Sequence, residues 1–384
     1  MWIEIPDENE EYLCNISNAM CRSSLAINAL IESMLKGQHI VYASRKLLDA
    51  IEKLDYINPS NKAFICWIKQ KYIYLYSCRE IVEYKIAIST ATDTISVIDN
   101  TYLVPLDYFY DFRETKLLTE NESDGSFFEN IYYFIKRNKR TSDLYSVKFE
   151  NDSCHGSNVA SKITQTAKEN RIAICLLDSD REMKGSATGS TYKGANNSYN
   201  KIKRNHILLL KALEAREKEN LFPPSAYMLL CEEKKVFLAV LNQFIEEEKV
   251  IKYFDIKDGV KYKKYKIDGW EQYYKTLIDE LIKVGIYKLP EPEEGEEDFV
   301  CIEGIGDKVC DIVCQVLLET EMISEEVLDR RGVTEDTKEK VREIRKSVKD
   351  ILPDYMYNEW EQIHNLLFSW GCCIAEKKLP NYQM

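Results

Sequence analysis

Several things are missing from this chain, and each absence narrows what it can be. No apolar run reaches the roughly 20 residues that a membrane-spanning helix needs. The opening Met1-Trp2-Ile3-Glu4-Ile5 leads directly into Asp7-Glu8-Asn9-Glu10-Glu11 rather than into an apolar signal core. The expectation is a cytoplasmic protein without membrane contact. The 12 cysteines never form two C-x-x-C pairs at finger spacing, which excludes a zinc finger. Most lie inside apolar periodic segments and read as buried thiols in a reducing compartment. There is no phosphate-binding G-x-x-x-x-G-K-[ST] loop, so any ATPase activity would come from a partner chain. Internal repeats are lacking too. Basic excess is also absent: 52 Lys and Arg face 64 Asp and Glu, for a net charge of −12. That balance excludes indiscriminate nucleic-acid binding by the whole surface and confines any polynucleotide to a local patch.

What is present is a pair of short apolar runs that end in acids. Lys116-Leu117-Leu118-Thr119 runs into Glu120-Asn121-Glu122-Ser123-Asp124, and Ile172-Ala173-Ile174-Cys175-Leu176-Leu177 runs into Asp178-Ser179-Asp180. Each is too short for an independent helix and reads as a buried strand. Between them, Phe127, Phe128, Ile131, Tyr132, Phe134 and Ile135 recur at helical spacing, and a second strand is expected over Leu144–Phe149. A polar turn at 154–158 then opens a helix from about Val159 to Glu169, with Ser157 or Asn158 as its cap. The order β-α-β-α-β predicts a right-handed wound parallel sheet. In such a sheet, carboxylates at the carboxyl ends of neighbouring strands converge on the ligand crevice. Unpaired carboxylates sharing a crevice repel one another and call for a hard divalent cation. Asp124 has a second reading, since an acid in a first helical turn also complements the helix dipole.

A strand-terminal Glu120, then Asn121 and Asp124, followed two units later by Asp178-Ser179-Asp180, resembles the Toprim domain of topoisomerases, primases and OLD-type nucleases. Downstream, Arg216-Glu217-Lys218-Glu219-Asn220-Leu221-Phe222-Pro223 is similar to an R-x-x-E-N-hydrophobic-x-P signature of Toprim-like nucleases in prokaryotic anti-phage defence. The resemblance covers about 113–225. Asn121 departs from the glycine common at its position. The resemblance implies an α/β fold with a Toprim-like Rossmannoid core at 111–225, and the residue patterns of the flanks read as a mixed α/β region at 1–110 and a mostly helical region at 226–384. It implies an Mg2+- or Mn2+-dependent endonuclease acting on DNA or RNA. Glu120, Asp178 and Asp180 would be its catalytic acids, Asp124 and Glu219 further metal ligands, and another subunit would restrain or activate it. Glu120 would alternatively act as the general base. Two rival classes share the acids: a topoisomerase or primase relative, and a non-enzymatic interaction subunit with a relic core.

Phosphate partners are expected at Arg181, Lys184, Lys193, Lys201, Lys203 and Arg204, with Lys211 and the group Lys136, Arg137, Lys139 and Arg140 as further candidates. The Gly-, Ser- and Asn-rich stretch 185–200 reads as a loop, either for substrate capture or as a solvated connector. In the flanks, helices are expected over about 22–36, 270–283 and 337–351, and Ile81–Ile88 reads as β-rich. An acidic linker is expected at 290–298. Glu303-Gly304-Ile305-Gly306-Asp307 looks like a second acidic opening or a DNA-gripping hairpin, but no Asp-x-Asp strand follows. It is read as a glycine turn opening a core helix.

Overall fold

Two parallel sheets organise the chain. The computed structural model describes residues 1–139, 142–288 and 298–380. Arg140 and, apart from Asp298, the expected acidic linker lie outside the described residues. The first sheet contains β1 (Trp2–Ile5), β2 (Ile40–Ala43), β3 (Lys85–Ser89), β4 (Ser96–Ile98) and β5 (Thr101–Pro105). Their order is β2-β1-β3-β5-β4, with only β4 antiparallel. The expected N-terminal mixed region is therefore a wound sheet in its own right, crossed by helices Arg22–Leu35 and Pro59–Cys78.

The second sheet follows from β6 (Lys116–Thr119), is interrupted by β7 (Tyr145–Val147), and continues through β8 (Glu150–Ser153), β9 (Ala173–Leu177) and β10 (Leu208–Ala212). Its order is β10-β9-β6-β8, all parallel. Both β6 and β9 are buried along their whole length, as expected for strands covered on two faces. The chain moves outward from β6 to β8 and then returns past β6 to β9 and β10. The winding direction thus reverses between β6 and β9, which sets the ends of those two strands side by side at the crevice.

Two expectations need correction here. The strand beside β6 is not the apolar Leu144–Phe149 stretch but the polar β8. An edge strand needs little apolar surface, and β8 is tied down by charge instead: Lys116 Nζ donates to Asp152 Oδ2 at 3.0 Å and Arg171 Nη2 to Glu150 Oε2 at 2.5 Å. The apolar β7 pairs antiparallel with β13 (Cys372–Ile374) at the far end of the chain. The 185–200 stretch is no loop over most of its length, because Ser190–Ile202 is a helix. Tyr192, Ala195, Tyr199 and Ile202 recur at helical spacing and pack in one apolar cluster with Val159 and Ile163 of the Val159–Lys168 helix. Tertiary packing overrides the weak helix propensity of Gly, Ser and Asn.

The C-terminal region is mostly helical, with Trp270–Lys283, Val309–Leu318, Glu335–Lys346 and Asp354–Gly371 as its main helices. It also holds a two-stranded ribbon of β11 (Gly259–Lys261) and β12 (Val300–Glu303). Glu303 is exposed and pairs with Lys234 at 2.9 Å, so it opens no second acidic site. Gly304 is needed for close approach, since a Cβ there would lie 2.1 Å from the Lys257 carbonyl. The Asp354–Gly371 helix seals the second sheet's helical layer. Trp360 is fully buried, its indole donates to the Leu221 carbonyl at 2.8 Å, and it meets Phe134 and Phe222 edge-on at 5.4 and 5.3 Å. A single apolar cluster draws residues from all three expected regions, so their cores are continuous. No helix among the described residues is long and apolar enough to cross a membrane. Nine of the twelve cysteines are buried and all are unbridged, as core thiols should be.

Candidate functional site

The crevice is assembled from three strand ends. After β6, the Thr119 hydroxyl donates to the Asn121 carbonyl at 2.8 Å and turns the chain, leaving Glu120 half-buried at the strand end. Asp124 then caps the Glu122–Asn138 helix: its Oδ2 accepts the Asn121 N–H at 2.9 Å while Oδ1 accepts Lys218 Nζ at 2.7 Å. Both oxygens of this buried acid are engaged within the protein. Lys218 is itself shared with Asp311 at 2.7 Å.

After β9, Asp178 stands half-buried and its Oδ1 accepts the backbone N–H of Lys218 at 3.2 Å. The next two N–H groups, of Ser179 and Asp180, both donate to the Arg216 carbonyl at 2.9 Å, and Ser179 Oγ donates to the Ala215 carbonyl at 2.7 Å. Asp180 adopts φ 51°, a left-handed conformation uncommon for a residue with a Cβ. Its carboxylate rests on Gly189 at the start of the Ser190–Ile202 helix. A Cβ on Gly189 would fall 2.1 Å from Asp180 Oδ2, so only hydrogen fits there.

The third wall is the segment after β10. Arg216, Glu217, Lys218, Glu219 and Asn220 are all buried. Arg216 binds Glu182 and Asp255, each at 2.9 Å, and Asn220 Nδ2 donates to the carbonyls of Ile251 and Phe254 at 2.7 and 2.8 Å. These two residues of the R-x-x-E-N pattern brace the loop. Glu219 differs from them, because its Oε2 is buried with no hydrogen-bond partner. Among the described residues, no three His, Cys, Asp or Glu side chains converge closely enough to hold a metal ion as placed. The acids flank one crevice without meeting at a point.

Electrostatics nevertheless ties them together. Burial holds the Asp178 carboxyl well above the ordinary carboxylate range, reinforced by Glu219, Asp124 and Glu217. Burial raises Glu120 as well, with Asp180 and Asp124 adding to it. Burial pushes Glu219 up to about 7 against the pull of Lys257, with Glu217 raising it further. Lys257 is the cation common to these sites. It lies 3.3 Å from Glu217 Oε2, and Glu217, Glu219 and Asp178 all raise its own pKa. Nothing local in Phe254-Asp255-Ile256-Lys257-Asp258 marks this lysine. Only the demand of clustered acids for a counter-charge could have pointed to it.

No protein-family model matches this chain. No curated protein or solved structure matches it significantly either. The site is therefore read from its own geometry.

The shift at Glu219 has a measurable consequence. The folded state holds this proton more tightly than the unfolded chain, whose value is 4.5 against about 7. Its stabilising contribution is present below the unfolded value and is lost as pH rises through the folded one. The raised Asp178 and Glu120 add to the same slope. Metal-free protein is expected to melt lower at about pH 8 than at about pH 6, and Glu219→Gln to flatten that difference. An undiminished difference in the variant would remove Glu219 as a source of the slope.

The expected basic residues divide into two groups. Lys184, Lys193, Lys201, Lys203 and Arg204 are exposed, Arg181 is half-buried beside Asp180, and none makes an ion pair among the described residues. Arg181 Nε is buried without a hydrogen-bond partner. Lys211 is exposed near the end of β10. The second group is committed to packing: Lys136 donates to the Tyr145 carbonyl, Arg137 to the Leu318 carbonyl at 3.0 Å, and Lys139 pairs with Glu361 at 3.1 Å.

Proposed function

We propose that this crevice is the active site of a Toprim-type, Mg2+- or Mn2+-dependent nuclease that hydrolyses phosphodiester bonds of DNA or RNA. The observation that carries the reading is the concentration of under-compensated carboxylates, Glu120, Asp178, Asp180 and Glu219, at the switch point of a parallel sheet. Burying them together raises the pKa of Asp178, Glu120 and Glu219, and carboxylates perturbed in this way concentrate at functional clefts. The orphaned Glu219 oxygen and the all-oxygen donor set fit a hard divalent cation.

In this reading Asp178, Asp180 and Glu120 would draw together to hold the metal, and Glu219 would supply a further ligand. When bound, the cation stabilises charge on the scissile phosphate and acidifies an attacking water. With a single cation held by Asp178 and Asp180, Glu120 at the crevice edge would alternatively act as the general base. Asp124 holds Lys218, whose backbone N–H fixes Asp178, so Asp124 acts as a positioning acid. Arg181 and Lys184, next in the chain after the acidic pair, neutralise phosphate. Lys257 tempers the repulsion among the acids. A setting in anti-phage defence, with a regulatory or ATPase partner, extends the reading through the resemblance alone.

The test is incubation of the purified chain with plasmid, single-stranded DNA and tRNA in Mg2+, Mn2+ or EDTA. Metal-dependent cleavage of at least one substrate is expected. If all three stay intact in both metals and calorimetry detects no Mn2+ binding, the proposal fails.

A further inference from the structure

The helix Ser190–Ile202 starts at Asp180 and ends at a second place with chemistry of its own. There its last turn faces the β4–β5 edge of the first sheet across an open cavity of about 590 Å3. At about 1.5 Å per residue, the 13-residue helix puts this cavity on the order of 20 Å from the acidic crevice, too far to share a reacting atom. The start of β10 also borders the cavity, which therefore opens toward the amino ends of the strands, away from the carboxylates at their carboxyl ends.

Three tyrosines from separate elements line it: Tyr84 just before β3, Tyr102 of β5 and Tyr199 of the helix. Two of the rings are held from behind by Trp370, whose centroid lies 5.8 Å from that of Tyr84 and 5.7 Å from that of Tyr102. The Tyr102 hydroxyl donates to the Leu208 carbonyl at 3.3 Å, which fixes its ring further. Tyr84 and Tyr199 are half-buried and keep ring surface open to the cavity. At the rim stand Lys203 and Arg204, both exposed and without ion pairs among the described residues; Lys203 Nζ sits 5.7 Å over the Tyr199 ring. Among the described residues, no carboxylate lines the cavity. In a chain of net charge −12, two uncompensated cations beside fixed aromatic rings are a selective arrangement.

Flat aromatic surface next to an anion-binding rim matches a ligand with a planar ring and a phosphate. We propose that this cavity binds a nucleotide, with its base against Tyr84 and Tyr199 and its phosphate at Lys203 and Arg204. Asn100 and Asn205, also in the wall, supply amide donors and acceptors for the base edge. The nucleotide is either free or one unit of a strand. In the second case the strand would run along the helix, which contains no Asp or Glu and exposes Lys193 and Lys201 on the way to the crevice. Only that second case rests on the nuclease reading.

Calorimetry in EDTA separates this proposal from cleavage. The probes are AMP, adenosine, ribose 5-phosphate and a 5′-phosphorylated tri-adenylate. AMP is expected to bind in the sub-millimolar range, with adenosine and ribose 5-phosphate at least about tenfold weaker. Lys203→Ala combined with Arg204→Ala alters only exposed side chains, so the melting temperature should hold while AMP affinity falls at least about tenfold. Tyr199→Leu should weaken AMP without weakening ribose 5-phosphate. Tri-adenylate binding about tenfold tighter than AMP assigns the site to a strand, and equal affinity assigns it to a free nucleotide. The proposal is overturned if neither AMP nor tri-adenylate binds at millimolar concentration, if the double variant binds both like the parent, or if ribose 5-phosphate matches AMP.

Discussion

In Asp178→Asn, metal-dependent cleavage is expected to fall by roughly 10³-fold, comparable to losing a preorganised electrostatic group at a transition state. The metal-free variant should melt no lower than the parent. Asparagine keeps the shape and an oxygen that can accept the Lys218 N–H, now 3.2 Å from Asp178 Oδ1. What it removes is a charge that burial and the neighbouring Glu219, Asp124 and Glu217 oppose. Relief of that opposition makes the apo protein equal or better in stability. Asp180→Asn is the companion variant, because asparagine tolerates the left-handed φ of 51° as well as aspartate does. Nuclease gels in Mn2+ and melting curves in EDTA read the two effects separately. A folded Asp178→Asn protein that still cleaves at the parental rate would remove this residue from the site.

Glu359→Ala is expected to produce the largest loss of stability. This buried carboxylate on the Asp354–Gly371 helix accepts the N–H groups of Glu214 and Ala215 at 2.8 and 2.9 Å, and its other oxygen faces Lys252 Nζ at 3.4 Å. Lys252 retains Glu214 and Glu248 at 2.8 and 3.2 Å, so the ammonium is not stranded. The cost comes mainly from two orphaned backbone donors, at about 1–3 kcal/mol each. A lowering of the melting temperature on the order of 5–10 °C follows. Glu359→Gln preserves an acceptor for the two N–H groups and should lose much less. Cleavage should weaken in the alanine variant too, because the loop that Glu359 holds presents the Arg216 carbonyl to the N–H groups of Ser179 and Asp180. Equal melting of the alanine and glutamine variants would show that the two backbone bonds are not what Glu359 contributes.

The acids of the crevice were legible because burial and chemistry coincide in short stretches of sequence: β6 and β9 are wholly apolar or buried and stop at Glu120 and Asp178. The Trp270–Lys283 helix and the Gly37 stop after the Arg22–Leu35 helix were legible for the same local reason. The polar β8 was not, since its order comes from ion pairs with Lys116 and Arg171 rather than from its own residues. The Ser190–Ile202 helix misled by composition, although its Tyr192, Ala195, Tyr199 and Ile202 carry helical spacing. Lys257 and Glu359 leave no local trace at all. Each acts on residues far away in sequence, and a contact made by folding has no periodicity to read.

The packing of Trp360 onto Leu221, Phe134 and Phe222 has a temporal side. On a ribosome, the acids of the crevice emerge long before the helix that seals the layer behind them. At roughly 5–20 residues per second, the stretch from Glu120 to Trp360 takes on the order of 10–50 s to synthesise. Each carboxylate, once made, waits without the Glu359 anchor for the Glu214–Ala215 backbone, and all of them are made before Lys257. Completion of the crevice is thereby tied to synthesis of the Asp354–Gly371 helix. A nascent chain that has not reached Trp360 therefore carries the acids of the crevice without the packing that backs them.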